Sequence, residues 1–267
     1  MIKSEVTKLY GGQDIIWSDP TGGDGRTSFI YREGESVLSY YGYEWAGVDP
    51  QTGLNMVYVN GTEQEEAELL SDGTAFLYNG RAVVEGDSGN DFQSYANRVI
   101  LGSATPKLYG GFNTSVTWKG INLGLNFTYR LGSKIYDAIA HDVDDDGWAY
   151  ERVRSQHTYD NRWKTPGQIT HQPLLIGTDA EAGRKTSSRR IHNGDYLRLK
   201  NITLGYTIPK DLVKKVGLSN ARVYFNGQNL LTLRSYELMD PEVNAYGTRG
   251  WEVPLAKTYT FGIELSF

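Results

Sequence analysis

The sequence predicts an all-β protein whose antiparallel strands belong to a transmembrane β-barrel with long extracellular loops. Three observations lead to this prediction. Long stretches alternate apolar and polar residues with a period of two, which is typical of a strand with two different faces. Tyrosine and glycine are abundant, at 19 and 31 of 267 residues, as in a β-rich protein with many turns. Short turns alternate with very long connections, an asymmetry typical of outer-membrane barrels.

The bulk composition is compatible with such strands and excludes several other classes. Apolar residues make up 39% of the chain, mean hydropathy is −0.48, and no apolar run reaches the ~18 residues of a membrane helix. Alternating barrel strands keep mean hydropathy low. The net charge of −5 offers no broad basic face for nucleic acid. Cysteine is absent, so disulfides, thiolate metal sites and cysteine nucleophiles are excluded.

The clearest strands are predicted at 108–118 and 121–131, on either side of Lys119 and Gly120. Apolar residues fall mainly on even positions in the first strand and on odd positions in the second. Each strand has about the ~9–11 residues that cross a bilayer at a tilt. The pair therefore predicts a hairpin with a tight turn.

Three further strands are predicted at 196–208, 222–230 and 258–267. Pro209 ends the first, because proline has no N–H to donate to the ladder. Gly227 indicates a β-bulge in the second. In the last strand every position obeys the alternation. In a barrel the apolar sets would face lipid, and the sets between them would face the lumen, including Asn122, Asn126, Arg130, Thr203 and Glu264. Residues 210–216, before Gly217, are predicted to form one or two helical turns.

The rest of the chain is predicted to lie outside the membrane. Residues 1–107 form a first region, with a strand end at Val6–Leu9 and then a long extracellular loop region. Residues 132–193 and 233–256 are the loops of the second region, 108–267. Residues 63–70 are expected to form a short helix, and Arg184, Lys185, Arg189 and Arg190 a solvated loop. A soluble β-sandwich is the alternative, but its strands are usually shorter, near ~5–6 residues.

Five blocks of sequence, in order along the chain, resemble those of one family. The segment Tyr41–Gly53 reads as "Y-G-Y-x-x-x-G-V-D-P-x-T-G", and the segment Gly102–Phe112 is similar to "G-N-x-x-P-K-x-x-G-G-F". The other three blocks are Tyr196–Tyr206, Gly227–Leu230 and Thr258–Gly262. Together they resemble the SusC/RagA-like TonB-dependent transporters over nearly the whole chain.

This resemblance implies a function that the alternation alone does not give. Members of the family are large outer-membrane barrels with an internal plug. They import glycans or peptides with energy passed on by TonB, and work with a SusD-like surface lipoprotein. The resemblance places these strands at the C-terminal end of the barrel. The first residues show no signal peptide, and the plug and the TonB-contacting segment would lie in a missing N-terminal region, so we expect no transport by this chain alone.

Several residues are candidates for binding or assembly. Phe267, a terminal aromatic residue that closes an alternating strand, resembles the signal read by the barrel-assembly machinery. Aromatic residues in the outer loops are expected to be exposed, and could stack on sugar rings or pack against a protein ligand. Loop packing or anchoring at the membrane interface is the alternative for each ring. The candidate ligand contacts are Tyr43, Trp45, Trp148, Trp163, Tyr236 and Trp251.

One motif predicts a calcium site. Asp142, Asp144 and Asp146 occupy alternate positions of a D-x-D-x-D-G pattern, and Gly147 supplies its tight turn. Carboxylate oxygens in such a loop suit Ca²⁺. The twelfth position is Val153 rather than the bidentate glutamate of a complete calcium loop, so a solvated acidic loop is the alternative. No other cofactor is expected.

The sequence does not predict an enzyme. The four histidines are scattered, and no G-x-S-x-G motif occurs. The alternatives to a transporter segment are a soluble extracellular β module that binds glycans and, with no site to support it, an enzyme that acts on glycans. We therefore predict part of a TonB-dependent importer in the cell outer membrane.

Overall fold

The computed structural model describes residues 4–18, 27–86, 92–144, 146–147, 153–176, 185–249 and 253–267. Most of its regular structure is β. The strands are β1 (Ile15–Ser18), β2 (Ser28–Tyr31), β3 (Ser39–Gly42), β4 (Trp45–Val48), β5 (Asn55–Tyr58), β6 (Phe76–Tyr78), β7 (Arg81–Gly86), β8 (Val99–Ser103), β9 (Leu108–Trp118), β10 (Ile121–Leu131), β11 (Lys134–Tyr136), β12 (Ile191–Asn193), β13 (Tyr196–Thr207), β14 (Asn220–Arg234) and β15 (Thr258–Ser266). The helices are α1 (Glu63–Ser71), α2 (Ala138–Val143), α3 (Gln156–Asn161) and α4 (Lys210–Val213).

The long strands form one antiparallel sheet in the order β15-β14-β13-β10-β9. Strands β9 and β10 have the bounds that the alternation predicts, and Lys119 and Gly120 form the turn between them. Both turn residues have positive φ, +46° and +87°, which is the geometry that joins twisted strands most tightly. On the same side of the sheet, α4 and a 3₁₀ turn join β13 to β14 and end at Gly217, with φ +77°.

Strand β14 differs most from its prediction. It spans Asn220–Arg234 rather than 222–230, because it pairs with β13 on one side and β15 on the other. The bulge predicted at Gly227 is wrong, since Gly227 pairs in register with both Ile202 and Tyr259. The irregularity lies at Asn229, whose φ of +53° is a conformation that asparagine tolerates better than most residues.

Residues 27–107, predicted as a long loop, contain regular structure. They include most of two four-stranded sheets, ordered β1-β2-β3-β8 and β4-β5-β7-β6. Their strands have only three to six residues, too few for alternation to reveal. The predicted helix is present as α1, which Thr62 and Glu65 cap reciprocally. The predicted strand end at Val6–Leu9 is not a strand, and Glu5 makes an isolated bridge to Ser36 instead.

Two apolar cores hold this outer part together. One lies between α1 and the sheet of β4 to β7, around Tyr43 and Phe92. The other unites Phe29, Tyr40 and Tyr136, and Tyr246 packs against it from the segment after β14. Described residues of both connections, 132–193 and 233–256, therefore pack against the core of the outer sheets. None of the described helices is long and apolar enough to span a membrane.

Candidate functional site: the two faces of the sheet and the outer segments

One face of the large sheet is apolar and exposed. Residues directly opposite each other on antiparallel strands share a face, so the register defines it. One row across all five strands is Val116, Leu123, Leu204, Phe225 and Phe261. Phe261 is 77% exposed and Ile263 is 70% exposed. Among the described residues no segment covers these side chains, and an apolar surface of this size normally meets another protein or a membrane.

Aromatic rings that carry a polar group lie at both ends of this face. Trp118 and Tyr206 are at the end with the tight turns, and Tyr129 is at the end with the long loops. The middle is mainly apolar, although Thr114 and Tyr259 also lie there, and it includes Phe112 stacked on Phe127 with ring centroids 4.8 Å apart. A strand of 11 residues is about 35 Å long and, tilted by ~45°, covers the ~25 Å apolar band of an outer-membrane barrel.

A bulge keeps the face continuous. In β13 the apolar residues switch from odd positions, Leu197 and Leu199, to even positions from Ile202 onward. Phe127 pairs with Leu199 and Asn126 pairs with Asn201, so Lys200 is the extra residue of β13. Because Lys200 breaks the alternation at that point, both halves of β13 present their apolar side chains to the same side.

The opposite face is polar. A row of amides crosses the sheet through Asn113, Asn126, Asn201 and Gln228. The first three line a shallow cavity of about 350 Å³, and the side-chain oxygen of Asn201 is buried there without a hydrogen-bond partner. The register also places on this face the residues predicted to face the barrel lumen, namely Asn122, Asn126, Arg130, Thr203 and Glu264.

A buried ionic cluster ties the segment after β14 to this polar face. Arg198 of β13, only 2% exposed, donates to Asp240 at 2.6 Å and to Glu242 at 2.8 Å. Lys200 donates to the same Glu242 carboxylate at 2.8 Å. Burial alone would raise the pKa of Asp240, but hydrogen bonds from the backbone of Glu242 and from Arg198 outweigh it and lower that pKa. The segment therefore folds inward over the loop end of the polar face.

A second buried pair joins the outer segments. Arg189 binds Asp146 through two hydrogen bonds, of 2.6 and 2.8 Å, and Asn55 of β5 donates to the same carboxylate at 3.0 Å. Arg190 is 3% exposed and donates to the backbone of Asp144. The prediction that this basic cluster is a solvated loop is thus wrong for Arg189 and Arg190. Both side chains are buried, and their N–H groups donate to acceptors that are distant in the sequence. Lys185 is partly buried, and Arg184 lies outside the described residues.

The three candidate calcium ligands are not assembled into one cage. Asp146 is engaged by Arg189, and Asp144 accepts hydrogen bonds from Ser155 and Thr158 at the start of α3. Asp142 is partly buried. In the part of the chain that the structure describes, no group of three or more His, Cys, Asp or Glu residues is arranged to hold a metal ion. Calcium binding stays a prediction, and it would require the pair of Asp146 and Arg189 to open.

The candidate aromatic ligand contacts are mostly occupied by packing. Tyr43 is 6% exposed and meets Phe92 edge to face, and Trp163 is 8% exposed and donates to the backbone of Pro50. The prediction of exposed rings is therefore wrong for these two. Trp45, partly buried, donates to Asn55 at 3.0 Å. The two remaining candidates in this group, Trp148 and Trp251, lie outside the described residues.

Tyr236 joins the two long connections. Its hydroxyl donates to Asp137 at 2.6 Å, and its ring stacks on His192 with centroids 3.9 Å apart. Burial raises the pKa of Tyr236, and the charge of Asp137 raises it further. Burial lowers the pKa of His192. Tyr236 thus serves contact within the protein, and its role in binding a ligand stays a prediction.

Phe267 follows β15 at the end of the sheet with the tight turns. Its side chain is 93% exposed, and its backbone oxygen lies 3.5 Å from the hydroxyl of Ser219. The ring is thus accessible to a partner. Its role as an assembly signal stays a prediction.

The chain is similar over its full length to known transport proteins. It is 30% identical to TonB-dependent receptor P3 of Formosa agariphila over 99% of this chain and 26% of the relative. It is 24% identical to TonB-dependent receptor SusC of Bacteroides thetaiotaomicron over 99% of this chain and 23% of the relative. No protein-family profile matches. The chain spans about a quarter of the length of these relatives.

The fold has a counterpart among solved structures. The structure of the RagAB peptide transporter superposes on 98% of this chain with a TM-score of 0.70 and 27% identity. The aligned part is 26% of that chain. These similar proteins are named as receptors and transporters, and not as enzymes.

Proposed function

This chain belongs to the SusC/RagA-like family of TonB-dependent receptors, and we propose that it contributes the C-terminal barrel strands and outer segments of an outer-membrane nutrient importer. Its large sheet has the fold of antiparallel strands from a transmembrane β-barrel with long extracellular loops. The apolar face would contact lipid, and the polar face would line the interior. Import is an activity of the whole receptor.

The observation that carries this proposal is the continuity of the apolar face across five strands. Apolar side chains stay in register through the bulge at Lys200, and rings with polar groups lie at both ends. A soluble module that binds glycans would need to bury such a face to remain in solution. A bilayer instead stabilises it without any covering segment.

The two edges of the sheet explain why the chain would not act alone. Among the described residues, β9 pairs only with β10 and β15 pairs only with β14. Each free edge leaves backbone N–H and C=O groups unpaired, which costs several kcal/mol per group in hydrocarbon. Further strands must therefore close the barrel before these strands enter a membrane.

The imported nutrient and the partners are part of the proposal. We propose glycans or peptides as the substrate classes, because the resemblance of the five sequence blocks implies both, and one solved neighbour is named a peptide transporter. We propose that the folded outer segments, including residues 27–107, meet a SusD-like lipoprotein. TonB would act through another part of the receptor, and the barrel-assembly machinery would bind Phe267.

A pair of substitutions in the full-length receptor tests the proposal. Leu125→Arg puts a charge on the apolar face, and Asn126→Arg puts the same charge on the polar face one residue away. A charge in the middle of the lipid face costs about 2–4 kcal/mol. We expect Leu125→Arg to reduce the amount of folded, heat-modifiable barrel in the outer membrane, and Asn126→Arg to leave it near the wild-type level. Equal amounts of the two variants would exclude a lipid-facing role for this face.

A further inference from the structure

Tyrosine and arginine alternate across the loop end of the polar face. The register opposes Tyr109 to Arg130, Arg130 to Tyr196, and Tyr196 to Arg234. Directly opposed residues share a face, so all four side chains lie on the polar side. Neighbouring strands are about 4.8 Å apart, which places the two arginine backbones roughly 10 Å apart with a tyrosine between them.

Arg130 differs from most other cations of this face because, in the part of the chain that the structure describes, no carboxylate compensates it. Arg198 and Lys200 bind Asp240 and Glu242, and Arg222 binds Glu264 at 3.3 Å. Within the described ranges, Arg130 donates one hydrogen bond, from Nη2 to the backbone oxygen of Ala104, and its Nε is buried without a partner.

The groups around Arg130 do not supply a counter-charge either. The titratable side chains that face it are the phenols of Tyr40, Tyr109 and Tyr196. At the other end of the row, Arg234 donates to the backbone oxygen of Met239, at 3.4 Å. Among the described residues, the row therefore holds two guanidinium groups and no carboxylate bound to either.

An uncompensated guanidinium that is partly buried is a natural anion receptor. Burial removes part of the water that stabilises the guanidinium charge. A bound oxyanion replaces that lost stabilisation with short, paired hydrogen bonds. Tyrosine hydroxyls on either side can donate as well. The ring of Tyr109 is 57% exposed, so a ligand that enters from the loop side of the sheet can reach this row.

We propose that Arg130, flanked by Tyr109 and Tyr196 and aided by Arg234, binds an oxyanion group, a carboxylate or a sulfate, of a solute on the polar face. The role of this site in import rests on the proposed function, since only then is the polar face part of a transport path. Binding of the anion itself does not depend on import. The site predicts that the receptor favours acidic over neutral solutes.

The test is a titration of the purified full-length receptor with sodium acetate and with sodium sulfate, against sodium chloride at equal ionic strength. The variant is Arg130→Gln. The matched control is Arg222→Gln, which removes a cation of the same face that already has Glu264 as its partner. The readout is the anion-dependent shift of the thermal unfolding midpoint, which gives an apparent Kd.

We expect Arg130→Gln to bind the anions about tenfold more weakly or worse, as the loss of a hydrogen bond to a charged group predicts, and Arg222→Gln to bind like wild type. If Arg130→Gln fails to fold, Arg130→Lys keeps the charge but not the paired donors, and several-fold weaker binding is expected. Equal midpoint shifts in the wild type and in a folded Arg130 variant would overturn the site. The amount of folded barrel in the outer membrane, measured alongside, reports separately on the proposed function.

Discussion

At the scale of single residues, the outer segments depend on buried polar contacts between distant parts of the chain. The contact of Tyr236 with Asp137 and His192 is one of them, and it holds the connection after β14 against the connection after β10. Its histidine is stacked and partly buried, so its charge state affects the stability of both connections.

The lowered pKa of His192 predicts a pH dependence. Burial is its main cause, Arg190 and Lys134 add to it, and Asp137 opposes it. The unfolded segment, with the ordinary pKa of 6.5, binds the proton more readily than the folded one. Stability of this contact is therefore complete above pH 6.5 and is lost as the pH falls below that value, by at most about 1.4 kcal/mol per pH unit.

Hydrogen exchange of the paired strands β11 and β12 at pH 7.5 and pH 5.0, corrected for intrinsic rates, checks this expectation. The protection should fall at the lower pH in the wild-type receptor. In His192→Phe, which keeps a ring against Tyr236 but cannot take up a proton, it should stay constant. The same loss of protection in both proteins would show that another group is responsible.

The sequence indicates which side chains could bind a ligand or carry charge, but not the surroundings in which each of them lies. Arg189 and Arg190 were expected in solvent because clustered basic residues usually are. The acceptor of Arg189 is Asp146, 43 residues away, and nothing local indicates that pairing. Tyr43 and Trp163 were expected to be exposed because they lie in an outer region, but Tyr43 belongs to a core of that region, and Trp163 packs against Pro50 and Gly53. Arg130 was placed on the correct face, whereas its lack of a carboxylate partner became evident only from the structure.

At the scale of elements, the long strands were predictable because alternation over 11 residues indicates a strand with one apolar face and one polar face. The short strands β1 to β8 were not, since three to six residues carry too little pattern. The bulge at Lys200 leaves a signal in the sequence, but a weaker one than the long alternating strands do. Its signal is the switch of the leucines of β13 from odd to even positions, which a search for unbroken alternation passes over.

Deletion of Lys200 tests the bulge. Without the extra residue, one half of β13 must turn its apolar side chains to the polar face, because a shift by one residue reverses every side chain of a strand. We expect the deletion to abolish folded barrel in the outer membrane. Lys200→Ala keeps the chain length and should lose only the ion pair with Glu242. The two side chains of this pair are 36% and 37% exposed, so the pair contributes only about 0–1 kcal/mol to stability. A deletion variant that assembles as well as Lys200→Ala would mean that the bulge does not set the register.

At the scale of the whole molecule, the chain combines a two-faced sheet with a folded outer part that is anchored to it. The cluster of Arg198, Asp240 and Glu242 fastens the segment after β14 to the polar face, and the same segment packs through Tyr246 against the outer core. The fold class followed from alternation and from the asymmetry of the connections. The receptor family followed from the five sequence blocks, and the similarity to known receptors over the full chain confirms it.

The measurement that tests the account most directly is a cysteine scan along β10 and β13 in the full-length receptor. The chain itself contains no cysteine, so each introduced thiol in this part is unique. Its accessibility to a lipid-soluble and to a water-soluble reagent reports which face it occupies. We predict lipid access at odd positions of β10 and, in β13, at Leu197 and Leu199 and then at Ile202 and Leu204, with the switch at Lys200. Uniform access to the water-soluble reagent on both faces, or an unbroken alternation through Lys200, would contradict the account.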